Sequence, residues 1–164
     1  MKSYPSYKDS EIDWIGEIPK HWEVTKVKYQ IRKPVQYGLN IESQKYSAQG
    51  IRFLRITDIR DDGSLLETGV YLNEEDVPKE YLLDSGDILL SRSGATVGKS
   101  CLYVGEIPTS FAGYLVRLQF SNFTESKFVK YFLGSTSFWT WINLQSTQST
   151  IENVSGDKYS NLTI

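Results

Sequence analysis

The run Gly94-Ala95-Thr96-Val97-Gly98-Lys99-Ser100 is the first candidate for chemistry, because it follows a strand-like stretch as a phosphate-binding loop would. A P-loop places four residues between its glycines so that backbone amides wrap a phosphate; this run has three. A P-loop also opens a helix whose N-terminus faces the phosphate, whereas Cys101–Val104 reads as strand and is stopped by Gly105 and Pro108. Nucleotide hydrolysis is therefore disfavoured. A turn with Arg92 and Lys99 at its ends can still offer amides and cations to a nucleic-acid phosphate, or simply join two strands. Glu125-Ser126-Lys127 matches half of a nuclease metal site but opens a helix and has no acid on a neighbouring strand close upstream. The carboxylates Glu74, Glu75, Asp76, Glu80, Asp84 and Asp87 are interrupted by Pro78 and Gly86 and read as a solvated turn. His21 has no Ser or Cys nucleophile identifiable by context, so a catalytic triad cannot be argued. The single cysteine, Cys101, excludes an intrachain disulfide and a Cys-based zinc cluster, and its apolar neighbours mark it as buried.

Elements of ordinary size must position these groups. The chain has 164 residues, 40% hydrophobic and 13% aromatic, enough to fill the core of one domain spanning 1–164. No run of about 18 apolar residues is present for a membrane span. The start Met1-Lys2-Ser3-Tyr4-Pro5 lacks the apolar stretch of a secretory signal, so the expected compartment is cytoplasmic. The net charge of −2 hides a segregation: residues 20–60 hold nine Lys/Arg against three acids, and residues 61–91 hold nine acids against Lys79 alone. Two readings stand, a solvated surface with chance polarity, or a basic face that meets a polyanion while an acidic face points away.

Residues 51–59 read as a strand whose alternation slips between Phe53 and Leu54, indicating a bulge or cover on both faces. Residues 87–91 and 101–104 read as short buried strands. In residues 112–120, Ala112, Tyr114, Val116, Leu118 and Phe120 share one face of a half-buried strand, with Arg117 and Gln119 on the other. The period then changes to that of a helix, with Phe128, Tyr131 and Phe132, then Phe138, Trp141 and Ile142, separated by Gly134 as a C-cap. The aromatic positions 128–142 are assigned to core packing, and Trp14 and Trp22 to an N-terminal anchor. The class is α+β: a single mixed domain with a twisted, mostly antiparallel sheet core and short helices, two of them near the C-terminus.

Several blocks carry a family resemblance. Trp14-Ile-Gly-Glu-Ile-Pro-Lys-His-Trp-Glu-Val, Phe53-Leu-Arg-Ile-Thr-Asp-Ile, Gly86-Asp-Ile-Leu-Leu-Ser-Arg-Ser-Gly-Ala-Thr-Val-Gly, Ser110-Phe-Ala-Gly-Tyr-Leu-Val-Arg-Leu and Ser149-Thr-Ile-Glu-Asn-Val-Ser-Gly-Asp-Lys-Tyr-Ser-Asn-Leu occur in order from residue 14 onward. Together they resemble a target recognition domain of the DNA-specificity subunit of type I restriction-modification systems. The resemblance implies a non-catalytic subunit with two recognition domains joined by long helices. Each domain would read half of a split site in double-stranded DNA. It also implies docking to methyltransferase (modification) subunits and, through them, to the restriction subunit. The partners would carry the S-adenosylmethionine chemistry, so no cofactor is expected here. The chain stops at Ile164, where the linker helix would be expected to begin, so one half of such a subunit is expected.

Lys and Arg neutralise phosphates and fix register, while Gln, Asn, Arg and Tyr on projecting loops reach base edges in the major groove. The DNA-binding candidates are therefore Lys33, Gln36, Tyr37, Asn40, Gln44, Lys45, Tyr46, Arg52, Arg55 and Arg60, with Arg92, Ser93, Thr96 and Lys99 from the glycine-rich loop. For Arg55, pairing with Asp58 at the sheet edge is the alternative to base contact. For the whole chain the alternative is a protein–protein interaction module that does not touch DNA. The motif tests generate one prediction: neither the native chain nor Lys99→Ala binds ATP in equilibrium dialysis. ATP binding that disappears in the variant would restore the P-loop reading.

Overall fold

The computed structural model describes residues 4–146 and 153–164; Ser149–Glu152, at the head of the last resemblance block, lie outside the described residues. The middle layer is a four-stranded antiparallel sheet in the order β3 (Gln36–Tyr37), β9 (Leu115–Leu118), β6 (Ile88–Ser91), β7 (Ser100–Leu102). Strand β6 is buried along its whole length because both faces of the sheet are covered. Ile88 and Leu90 face Val116, Leu118, Phe138, Trp141 and Tyr159 on the helical side. Leu89, one residue out of phase, joins Cys101, Leu115, Phe111 and Leu54 on the opposite side.

That opposite side is closed by a second sheet, β5 (Val70–Leu72), β4 (Ile51–Leu54) and β8 (Thr109–Phe111), in which β4 pairs antiparallel with β5 and parallel with β8. A two-stranded ribbon, β1 (Tyr7–Asp9) with β2 (Glu17–Pro19), precedes both. The helical side carries α1 (Phe123–Leu133), α2 (Thr136–Ser146) and a short α3 (Gly156–Ser160). Asn122 caps α1 by accepting from the amide of Glu125 at 2.9 Å, and Gly134 ends it as expected. The third helix carries Tyr159 into the core, where its hydroxyl donates to the carbonyl of Ser91 at 2.6 Å and accepts from the amide of Gly98 at 3.2 Å. Burial pushes the Cys101 thiol up to about 12, leaving it without thiolate character at neutral pH.

Several expectations are corrected. The strand expected over 51–59 ends at Leu54, because the Asp58 carboxylate accepts from the Arg55 amide at 2.8 Å and folds Ile56–Asp58 into a 3-10 turn. Phe53 and Leu54 are both buried, so the slip in alternation marks cover on both faces. The strand expected from 112 begins at Leu115, since the Leu115 amide donates to the Ala112 carbonyl at 2.9 Å and closes a tight turn. Tyr114, assigned to the apolar face, is consequently 64% exposed. In the aromatic stretch, Phe138 and Trp141 are buried as expected, but Phe128, Tyr131 and Trp139 reach solvent. Trp14 packs on the helical-side core, and Trp22 sets its ring edgewise against Phe128 at 5.5 Å.

The largest correction concerns charge. Arg117 and Gln119, read as the outer face, and Asp87, read as part of a solvated turn, are 2%, 3% and 2% exposed. Arg117 grips Asp87 through Nε at 2.6 Å and Nη2 at 2.5 Å. Gln119 donates to the other carboxylate oxygen at 3.2 Å and the Asp84 amide adds a bond at 2.8 Å. Burial pushes the Asp87 carboxyl upward against the pull of the Arg117 guanidinium. Arg117 Nη1 also donates to the carbonyl of Glu80 at 3.1 Å and to Gln36 Oε1 at 3.3 Å. Removing one partner of such a pair strands a buried charge, so Arg117→Ala should cost about 3–5 kcal/mol in urea unfolding. The double change Arg117→Met, Asp87→Leu should cost clearly less than Arg117→Ala alone. Equal losses would show that the pair's charges are not what holds this region.

Candidate nucleic-acid interface

The structure separates the candidate DNA-binding residues into those occupied internally and those facing solvent. Gln36 lies on β3 and binds Arg117 and the Glu80 carbonyl, the latter at 3.2 Å. Arg52 Nη2 donates to the Leu66 carbonyl. Arg55 forms a two-pronged pair with Asp58, Nε to Oδ2 at 3.1 Å and Nη2 to Oδ1 at 2.8 Å, and this bond raises its affinity for the proton. Arg60 Nη1 donates to the Leu65 carbonyl at 2.8 Å and to Ser64 Oγ at 3.2 Å. The Arg55 fork, filled through both Nε and Nη2, cannot also close on a guanine edge, and releasing Asp58 would leave a carboxylate with 3% side-chain exposure without its charge partner, whereas Arg52 and Arg60 each commit a single guanidinium nitrogen.

The glycine-rich loop is a hairpin connection between antiparallel β6 and β7, with a 3-10 turn at Gly94–Thr96. The hydroxyl of Thr96 lies 3.0 Å from Ser91 Oγ and donates to the Ser93 carbonyl at 3.3 Å, and Ser93 pairs with Asn153 in an isolated antiparallel bridge. Lys99 Nζ stands 3.0 Å from Asp61, whose side chain is fully exposed. Arg92 lays its guanidinium 4.7 Å from the ring centre of Tyr37, while its Nε is buried with no hydrogen-bond partner among the described residues. Tyr37 in turn accepts from the Gly156 amide at 2.8 Å. Tyr46 packs its ring 6.0 Å from Phe53. Lys33, Asn40, Gln44 and Lys45 are exposed.

Of the candidates, Asn40, Tyr46 and the Asp58-paired Arg55 line one cleft of about 590 Å³, whose polar lining also includes Glu42, Thr57 and Tyr114, while Lys33, Gln44, Lys45, Arg92 and Lys99 lie outside its lining. Its walls come from residues 39–57 and from the turn before β9, with none from the acidic stretch 61–91. Two glycines make the walls meet. A Cβ on Gly38 would overlap the carbonyls of Phe111 and Ala112, and one on Gly113 would collide with Asn40 Oδ1. The backbones therefore lie close enough for Leu39 to donate to Phe111 at 2.9 Å and Gly113 to Leu39 at 2.8 Å. Tyr114 is the member that sequence reasoning placed wrongly. The adjacent Gly113 was the signal available, since a glycine before a strand marks a turn that breaks the alternation.

No protein-family model matches the chain. It is 32% identical over 97 residues, 58% of its length, to the type I restriction enzyme MjaVIII specificity subunit of Methanocaldococcus jannaschii, of which it spans 22%. Among solved structures, a chain from work on complex assembly and conformational transition of the type I R-M system matches with a TM-score of 0.68 at 16% identity, over 96% of this chain and 36% of that one. The HsdS subunit of Thermoanaerobacter tengcongensis matches at 0.59 and 17% identity, over 96% of this chain and 35% of that one. The type I S subunit of M. genitalium matches at 0.58 and 13% identity, over 86% and 33% respectively. This chain thus spans about a third or less of each of these relatives. The geometry makes one mutational prediction: Arg55→Ala lowers stability by about 1–3 kcal/mol, the cost of an orphaned buried acceptor. Its affinity for mixed duplex DNA should stay within about twofold of the native chain. A large affinity loss with unchanged melting temperature would return Arg55 to the DNA face.

Proposed function

The chain is related in sequence and in fold to the specificity subunits of type I restriction-modification systems, and we propose on that premise that it is a target recognition domain reading one half of a bipartite DNA site. The observation that carries this reading is the sequence match to a named specificity subunit, combined with folds that agree over nearly the whole chain. In this role the domain does no chemistry. It fixes where methyltransferase and restriction subunits act by binding duplex DNA beside them, in the cytoplasm, with a second recognition domain supplying the other half-site. Among the described residues no helix is long and apolar enough to cross a membrane, and no group of three His, Cys, Asp or Glu is arranged to hold a metal.

The chemistry on the surface supports the division of labour that DNA reading requires. Lys33 and Lys45 are exposed cations suited to phosphates, which position the duplex without reading it. A protein partner is the second reading, and one observation favours it. An apolar groove of about 440 Å³ runs between the N-terminal segment and α1, lined by Ile15, Ile18, Trp22, Phe128, Phe132 and Ile164. It is distinct from the polar cleft, so both contacts fit on one domain.

Salt dependence tests the primary reading. Affinity for duplex DNA should fall steeply as salt rises, and Lys33→Ala or Lys45→Ala should each reduce the log–log slope by about 0.9, the value for one neutralised phosphate. Binding that is absent at low salt, or indifferent to salt and to both lysines, would favour the protein-partner reading.

A further inference from the structure

Resting on the DNA-reading assignment, we infer that Asn40 and Tyr114 together form the base-reading edge of this domain, and that the arginines of residues 52–60 serve the fold. The inference starts from the contrast between pinned backbone and exposed side chain. Tyr114 is 64% exposed, yet its turn is fixed on every side. Its carbonyl accepts from the Arg92 amide at 3.1 Å, its neighbour Gly113 donates to Leu39 at 2.8 Å, and Leu115 donates to Ala112 at 2.9 Å. A phenol on a rigid stem projects a flat ring and one hydroxyl donor–acceptor at little entropic loss on binding, which suits contact with a base edge.

Asn40 stands against the same turn. The space left by the missing side chain of Gly113 is the space that Asn40 Oδ1 occupies, so the amide is placed next to Tyr114 by sterics. A carboxamide carries a donor and an acceptor side by side, the pattern that matches N6 and N7 of adenine in the major groove. Arg92 places its guanidinium 4.7 Å from the Tyr37 ring centre and is linked to Tyr114 through its backbone amide. The cleft beside the pair is lined by residues 39–57 and the turn before β9; among the described residues Arg55, paired with Asp58, is its one cation and Glu42 its one carboxylate, so readout there falls to neutral hydrogen-bonding groups. Of the three arginines only Arg55 lines this cleft, and its fork is committed to Asp58, so Asn40 and Tyr114, with the smaller Thr57 hydroxyl beside them, are the exposed neutral hydrogen-bonding groups of its lining.

Selection of bound duplexes from a random-sequence library, using the full chain, tests the inference. Asn40→Ala, Tyr114→Phe, Tyr114→Ala and Gly113→Ala are compared with the native protein after melting curves confirm folding. The native chain should enrich a short motif. Asn40→Ala and Tyr114→Ala should lose preference at adjacent positions, with bulk affinity for mixed DNA changed less than about threefold. Tyr114→Phe, which keeps the ring and removes the hydroxyl donor–acceptor, should lose preference at the Tyr114 position. Gly113→Ala should weaken the Asn40 position by displacing the amide without removing it. A motif that the native chain enriches and that both alanine variants retain would overturn this inference and leave the DNA-reading assignment intact. No motif enriched by the native chain would overturn both.

Discussion

A buried ion pair in the middle sheet sets the geometry on which the rest of the structure depends. Arg117 and Asp87 sit on neighbouring strands or their ends, almost fully enclosed, and the bonds they make beyond their own pair reach several parts of the chain. Through Glu80 and Asp84 the pair ties down the acidic segment before β6; through Gln36 it fixes the start of β3; through Gln119 it binds the end of β9. Two desolvated charges persist at such a place only when their lone pairs and protons are almost all used, as they are here. The pair is therefore less a source of net stability than a constraint on register, because any slip would leave a charge in apolar surroundings.

That constraint reaches the surface within a few residues. Two residues before Arg117, Leu115 begins β9, and the residue ahead of it is Tyr114. One residue after Gln36 comes Tyr37, then Gly38, Leu39 and Asn40, whose backbone crosses the Ala112–Gly113 turn at closest approach. Two of the chain segments that line the cleft, 39–42 and 112–114, thus lie next to strands that the buried pair holds in register, and β4 with the turn after it supplies the remaining wall. Arg92 completes the arrangement, since its backbone joins Tyr114 and its guanidinium lies on Tyr37.

Much of the fold was readable from period and punctuation, and the failures share a cause. The two C-terminal helices, the Gly134 cap, the buried strands near 88 and 101, and burial of Cys101 followed from apolar spacing alone. Charge was misread where its partner lay far off in sequence, while the local Arg55–Asp58 pair was legible as an alternative. Asp87 in an acid-rich run and Arg117 in an alternating strand look solvent-facing in sequence, and nothing local reveals that they are partners thirty residues apart. At the candidate interface, too, the sequence does not show which side chains have partners within the fold. Arg52, Arg55 and Arg60 were attractive by residue type, but the turns after β4 supply them with acceptors. Asn40 was a candidate from its type and its place in a basic, polar segment, and the structure places it, exposed, in the cleft lining. Tyr114 was not, because period-two alternation continued one residue too far across a glycine turn.

The central claim is that this domain reads DNA with the edge formed by Asn40 and Tyr114, on a backbone held by the Arg117–Asp87 pair. A structure of the chain bound to its selected duplex measures this most directly. The account predicts that both side chains enter the major groove within hydrogen-bonding distance of base edges, with the Arg55–Asp58 and Arg117–Asp87 pairs intact as in the free protein. A complex in which Arg55 has left Asp58 to grip a base, or in which the duplex crosses the α1 face away from the cleft, would contradict it.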